Sequence, residues 1–206
     1  KGVVTLADHL ASAHAPRLAN MEITSFAAML ERGGKAVASP NSHQTQSGSA
    51  FDNIVLVAPT GSGKTEASLL WARLHQGFLD GERPLIYMLP YQASLNAMHK
   101  RLGAALKTPV ALMHSRSLQA LASDMMDRDY RPRIAELQAK RLKNLARLHQ
   151  PAVSVTTPYQ LLRAAFQLPG YESQWMASSG SLIITDEIHA YEPERLGMIV
   201  GLLSCL

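Results

Sequence analysis

The stretch VAPTGSGKTEASLLWA (57–72) constrains this chain more than any other. An apolar run, Ile54–Ala58, leads into Ala58-Pro-Thr-Gly-Ser-Gly-Lys-Thr65, and a helical pattern follows. This is the spacing of a P-loop, with alanine where the strict pattern has its first glycine. Gly61 and Gly63 allow the backbone angles that turn successive N–H groups inward into a nest for phosphate oxygens, with Thr60 and Ser62 completing the loop. The helix opening at Lys64 adds its positive dipole end. The Lys64 ammonium suits β- and γ-phosphates, and the Thr65 hydroxyl can ligate Mg²⁺. The bland alternative is a glycine turn that merely caps a helix, and the ordered strand, Lys-Thr and helix weigh against it. ATP with Mg²⁺ is the expected ligand.

A P-loop needs a sheet behind it, and the rest of the chain offers one. Five apolar runs, Ile54–Ala58, Leu85–Leu89, Val110–Met113, Ala152–Thr156 and Leu182–Asp186, alternate with longer helical stretches. Runs that are apolar throughout predict strands covered on both faces, and helices between them predict parallel crossovers. The expected fold is α/β, a mostly parallel sheet flanked by helices from about residue 50 onward. Two helical patterns precede it, GVVTLADHLASAH (2–14) and ITSFAAMLERGG (23–34), and then a polar stretch, KAVASPNSHQTQSGSAFDN (35–53), reads as a loop or linker. The division expected is therefore a helical segment and linker over 1–49 and the α/β domain over 50–206.

At 206 residues, 47% hydrophobic and 17% charged, the chain is long enough for one such core. The net charge of +4 permits a polyanionic partner without demanding one. The single cysteine, Cys205, excludes an internal disulfide and fits a reducing compartment. No apolar run reaches membrane-spanning length and no signal peptide opens the sequence, so a cytoplasmic location is expected.

The fifth run ends in SLIITDEIHAYEPE (181–194). Asp186 closes the strand and so emerges at the carboxyl edge of the sheet, where ligands of such folds collect. There it can hold Mg²⁺, with Glu187 as the base that orients and deprotonates the attacking water. Two carboxylates after an apolar run are weak on their own, since a surface pair explains them too. Combined with the P-loop in the expected order they are strong.

Asp-Glu-x-His, here DEIH with His189, resembles motif II of the DExH group of superfamily 2 helicases, whose first RecA-like lobe would account for the α/β pattern. That resemblance implies that His189 couples the nucleotide site to the nucleic-acid face and the partner lobe. YMLPYQASLNAMHKRL (87–102) and VTTPYQLLRAAF (155–166) resemble motifs Ia and Ib. By that likeness Pro90, Gln92, Thr157 and Pro158 are candidates for gripping a sugar–phosphate backbone, and Ser115 and Arg116 of LMHSRS (112–117) join them. Gln44 or Gln46 would supply the adenine contact of a Q-motif, Gln44 being the candidate carried forward, although either residue fits a plain linker equally well.

APTGSGKTEASLLWA, LPYQASLNAM, LMHSRS and TDEIHAYEPERLG together resemble the helicase of type I CRISPR systems. The resemblance covers roughly residues 50–206 and implies a prokaryotic, ATP-driven translocase on single-stranded DNA, recruited by an RNA-guided surveillance complex. It also implies a motif III, a second RecA-like lobe and often an HD nuclease domain, none of which these residues contain. GVVTLADHLASAH resembles the last helix of such a nuclease domain, with Asp8 as its one matching carboxylate. An ordinary amphipathic helix explains that stretch as well, and no nuclease metal is expected. In comparable NTPases an arginine supplied from outside the P-loop unit is worth ~10³–10⁵ in rate. Very slow hydrolysis is therefore expected of this lobe by itself. The rival reading is another DExH helicase of DNA repair or RNA metabolism, or a nucleotide-binding docking module without turnover.

Residues 132–148 offer one more pattern. At about 100° per residue Ile134, Leu137, Leu142, Leu145 and Leu148 share one helical face, expected to meet the core. Arg133, Lys140, Lys143 and Arg147 gather on another, either a solvated face or a track for phosphates.

Overall fold

A computed structural model describes residues 2–13, 21, 23, 25–32, 34, 39–77, 83–149 and 151–206. Four parallel strands, β1 (Leu85–Met88), β2 (Val110–Met113), β3 (Val153–Thr156) and β4 (Leu182–Thr185), form one sheet in the order β2-β3-β1-β4. Tyr87 of the central β1 lies opposite Val155 on one side and Ile184 on the other. The helices are α1 (Gly2–Ser12), α2 (Phe26–Arg32), α3 (Ser42–Ser47), α4 (Lys64–Gly77), α5 (Gln92–Leu106), α6 (Ser117–Met126), α7 (Pro132–Arg147), α8 (Pro158–Ala165), α9 (Tyr171–Ser178) and α10 (Pro193–Leu203).

The alternation of side chains along each strand divides the core into two layers. Leu85, Tyr87, Val153, Val155, Leu182 and Ile184 face one cluster with Leu69 and Ala72 of α4, Leu95 and Leu102 of α5, and Leu121 of α6. Ile86 and Met88 face the other, with Leu161 and Leu162 of α8 and Leu202 of α10. A sheet covered on both faces explains why β1, β2 and β4 carry no polar alternation. Because every strand is parallel, all four carboxyl ends open on one edge. The turns that follow, beginning at residues 89, 114, 157 and 186, are therefore neighbours.

Three expectations are corrected. The run Ile54–Ala58 is not a strand: it is unpaired, with Val55 85% and Val57 92% exposed. Strand propensity is realised only against a neighbouring edge, and among the described residues none pairs with it. β4 is bonded on one side alone, to β1. The segment is instead held at its ends. Before it, Trp71 Nε1 of α4 donates to the Asp52 carbonyl at 3.1 Å, and a His75 ring nitrogen lies 3.0 Å from the Phe51 carbonyl. After it, Lys64 caps the Ala58 and Pro59 carbonyls.

The polar stretch expected to be a loop contains α3, which packs on α4. The leucine face of α7 also does not meet the core. Ala135, Ala139 and Ala146 are its buried residues, while Leu137 is 59% exposed and Ile134 and Leu142 are also exposed. On the helical wheel the alanine stripe lies between the leucine and basic faces. Small side chains there let α7 approach α6 and β2 closely, a packing advantage that hydrophobic periodicity does not register. Asp8 is exposed on α1, which packs against α9, and His14 lies outside the described residues.

Candidate nucleotide site

The loop 58–65 adopts the geometry its glycines permit. Gly61 has φ +79° and Gly63 φ +87°, both in the region that side chains disfavour. A Cβ at Gly63 would in addition collide with the Gln44 carboxamide nitrogen, so this position needs glycine for space as well. Nothing lies within 4 Å of where a Cβ of Gly61 would be, which leaves that flank of the loop open. Lys64 Nζ donates to the carbonyls of Ala58 at 3.0 Å and Pro59 at 3.2 Å, folding the loop over its own ammonium. Ser62 Oγ is buried and has no hydrogen-bond partner among the described residues, a donor without an acceptor inside the loop. A buried hydroxyl left so costs about 1–3 kcal/mol, and a phosphate oxygen is the kind of acceptor that would relieve it. Thr65, buried, and Thr60, exposed, flank this nest.

The loop is braced from α3. His43 Nε2 and Asn41 Nδ2 both reach the Ser62 carbonyl, at 3.0 and 3.3 Å. Gln44 Nε2 donates to the Gly63 carbonyl at 3.1 Å while Gln44 Oε1 accepts from the Asn41 backbone N–H at 2.8 Å. Of the two glutamines, Gln44 is the buried one against the loop, and Gln46 is exposed. The Gln44 carboxamide bonds to protein atoms at both ends and braces the loop. Glu66, in the first turn of α4, holds Arg101 of α5 at 2.7 Å and fixes the helix that carries Lys64 and Thr65.

At the end of β4 the ladder runs on by one bond, Asp186 N–H to the Met88 carbonyl at 2.9 Å. Asp186 is half-buried. Its Oδ1 accepts the Glu187 N–H at 2.9 Å and its Oδ2 accepts the Tyr87 hydroxyl at 2.7 Å. Burial and the neighbouring carboxylate push the Tyr87 phenol well above its ordinary value, so it is a neutral donor. The hydroxyls of Thr65 and Ser68 on α4 approach the same phenol. Tyr87 thus ties the P-loop helix to the DEIH strand, a role that its place at the head of the motif Ia-like stretch does not announce. Glu187 has φ +54°, an unusual conformation for a residue with a side chain, and its Oε2 lies 3.2 Å from His189 Nε2. Strain of this kind, of order 1–3 kcal/mol, is typical of functional turns.

The other strand ends line the same edge. Gln92 Nε2 donates to Ser115 Oγ at 3.1 Å, linking the turns after β1 and β2. His114 is buried; its Nε2 faces Asn96 Oδ1 at 3.0 Å and its Nδ1 accepts the Arg116 N–H at 3.2 Å, holding the loop that exposes Ser115 and Arg116. Burial shifts His114 downward, which favours the neutral ring this pattern needs. Pro90 is half-buried. Thr157 and Pro158, expected to touch a bound strand, are both buried: Pro158 is the first residue of α8, and Thr157 sits before it as the cap. These two support the edge from beneath.

A family profile of the DEAD/DEAH box helicases matches residues 41–203, which include the brace, the P-loop, the DEIH turn and every strand. This chain belongs to that family. It is also similar to a protein of Methanothermobacter thermautotrophicus named CRISPR-associated nuclease/helicase Cas3, with 32% identity over 156 residues. The matched stretch covers 73% of this chain and 17% of that protein, so the chain spans under a fifth of its relative's length. No solved structure gives a significant match.

The donor set of this DEAD/DEAH helicase unit fits Mg²⁺. The Thr65 hydroxyl and the Asp186 carboxylate are hard oxygen donors brought to one phenol. A Mg²⁺ ion that keeps several waters and shares phosphate oxygens needs only one or two such groups from the protein. The described residues contain no cluster of three His, Cys, Asp or Glu placed to hold a metal. No helix among them is long and apolar enough to cross a membrane.

Proposed function

We propose that this unit binds and hydrolyses ATP to drive translocation along single-stranded DNA in type I CRISPR interference, as part of a larger protein. The observation that carries the ATPase half is the Asp186 carboxylate, held by the Tyr87 hydroxyl at 2.7 Å at the end of a strand that the P-loop helix α4 packs against. Lys64 leaves the Ala58 and Pro59 carbonyls for the β- and γ-phosphates, and the N–H groups of residues 61–65 take the remaining phosphate oxygens. Thr65 and Asp186 hold Mg²⁺, which supplies charge neutralisation at the transferred phosphoryl group. Glu187, aimed by its left-handed backbone, orients and deprotonates the attacking water, and His189 positions its carboxylate. Gln44 keeps the loop in register, not reading adenine.

The DNA half rests on the likeness to the Cas3 relative and on the composition of the strand-end edge. Gln92, Ser115 and Arg116 present an amide, a hydroxyl and a guanidinium to solvent, groups that grip phosphates without reading sequence. The RNA-guided surveillance complex as recruiter, a second lobe supplying arginines, and a nuclease acting on the displaced strand belong to the same proposal.

The polymer is the testable part. ATPase of the full-length protein should rise at least about tenfold with single-stranded DNA and far less with RNA of the same length. Stimulation by RNA alone would place this helicase in RNA metabolism instead. Arg116→Ala should weaken DNA stimulation by a few-fold without altering the basal rate.

A further inference from the structure

We propose that Tyr87 is a positioning residue for the divalent-ion site, its phenol O–H locking the Asp186 carboxylate against the P-loop helix. The inference rests on the nucleotide-site reading above and extends it to a residue of β1, at the head of the motif Ia-like stretch, to which that likeness gives no role. Tyr87 is among the largest fully buried side chains of the sheet, in the central strand, with Ile184 as its register partner on β4. Asp186 lies two residues beyond Ile184, on the same face of the strand, so the phenol reaches along the sheet to its carboxyl edge.

A buried phenol must find an acceptor, and here the acceptor is a single oxygen of the expected metal ligand, at 2.7 Å. The other oxygen of Asp186 takes the Glu187 N–H at 2.9 Å. Both donors are neutral. They remove the carboxylate's rotational freedom without cancelling the charge that attracts a cation, which an arginine or lysine in the same place would do. The same phenol is approached by the hydroxyls of Thr65 and Ser68, so it registers the two ligand-bearing elements, α4 and β4, against each other. Outer partners of this kind set ligand orientation, and their loss typically costs 10–100-fold in metal affinity or activity.

Tyr87→Phe keeps the ring in the core and removes only the hydroxyl. The test is a titration of Mn²⁺ into the full-length protein with a non-hydrolysable ATP analogue present, followed by electron paramagnetic resonance. A fluorescent ADP titration in EDTA, a melting curve, and Asp186→Asn run beside it. The expected result is Mn²⁺ affinity weakened about tenfold in Tyr87→Phe, metal-free nucleotide affinity unchanged, and Asp186→Asn weaker still. Unchanged Mn²⁺ affinity in Tyr87→Phe with loss in Asp186→Asn overturns this inference alone. Equal loss of metal-dependent and metal-free binding in Tyr87→Phe also overturns it, because the hydroxyl would then serve only the fold. Unchanged Mn²⁺ affinity in Asp186→Asn overturns the nucleotide-site reading itself, and this inference with it.

Discussion

Ile54–Ala58 and Leu182–Thr185 are alike as sequence. Each is a short aliphatic run, and each delivers a functional turn at its carboxyl end, the P-loop in one case and DEIH in the other. They differ completely as structure. Leu182–Thr185 is hydrogen-bonded to β1, with Leu182 and Ile184 buried in the main core, whereas Ile54–Ala58 is unpaired and turns two valines outward. The P-loop nevertheless keeps its shape. It is held from the side, by Asn41, His43 and Gln44 of the α3 region and by Glu66–Arg101 under its helix, not by the unpaired run that leads into it. Strand identity is thus a property of the neighbouring edge, while loop geometry can be fixed by braces distant in sequence.

Ile184→Asp places a carboxylate without a partner between β1 and α4 and should cost more than about 4 kcal/mol, read as loss of the cooperative unfolding transition. A folded, cooperatively melting variant would mean that β4 is not the buried strand described.

Acid is the next largest lever. His149, at the end of α7, is shifted by burial down to about 4, and burial also lowers His99 and His114. A histidine whose folded pKa lies below its unfolded value binds fewer protons when folded, so stability is lost as pH falls through 6.5 towards 4. His149 alone should contribute about 2 kcal/mol of loss at pH 5 relative to pH 7.5. His149→Asn, which tolerates the φ of +53° at this position, should flatten that part of the dependence. An identical slope in the variant would show that the ring titrates normally.

Gln44→Ala removes two hydrogen bonds from the loop's brace and should cost about 1–2 kcal/mol, with nucleotide affinity falling several-fold. Gln46→Ala should leave both unchanged. Equal effects would erase the distinction between the two glutamines. Smallest of all, Val57→Asp should alter the stability of these 206 residues by no more than about 0.5 kcal/mol, as expected of an exposed site. A loss near that of Ile184→Asp would put the two runs on the same footing.

Much of this was legible in the sequence because it is local. The P-loop spacing, the Asp-Glu at a strand end, and four of the five strands each follow from residues within a few positions of one another. What was not legible depends on partners. Leu137 and Ala139 of α7 differ in burial in the sense opposite to their hydrophobicity, because close helix approach selects small side chains. Gln44 and Gln46 are indistinguishable until α3 folds against the loop. Pro158 looks like a surface residue of motif Ib and is an interior one. Tyr87 sits in an apolar run, and only the distance from its hydroxyl to Asp186 separates it from an ordinary core aromatic.

The central claim is that the P-loop and the DEIH turn make one ATP-hydrolysing site with Glu187 as its base. Its most direct test is Glu187→Gln in the full-length protein, with hydrolysis rate and ATP affinity measured side by side in the presence of single-stranded DNA. The account predicts a rate lowered at least about 100-fold with affinity within a few-fold of the parent. A variant that binds ATP as before and hydrolyses it at the parental rate would contradict it.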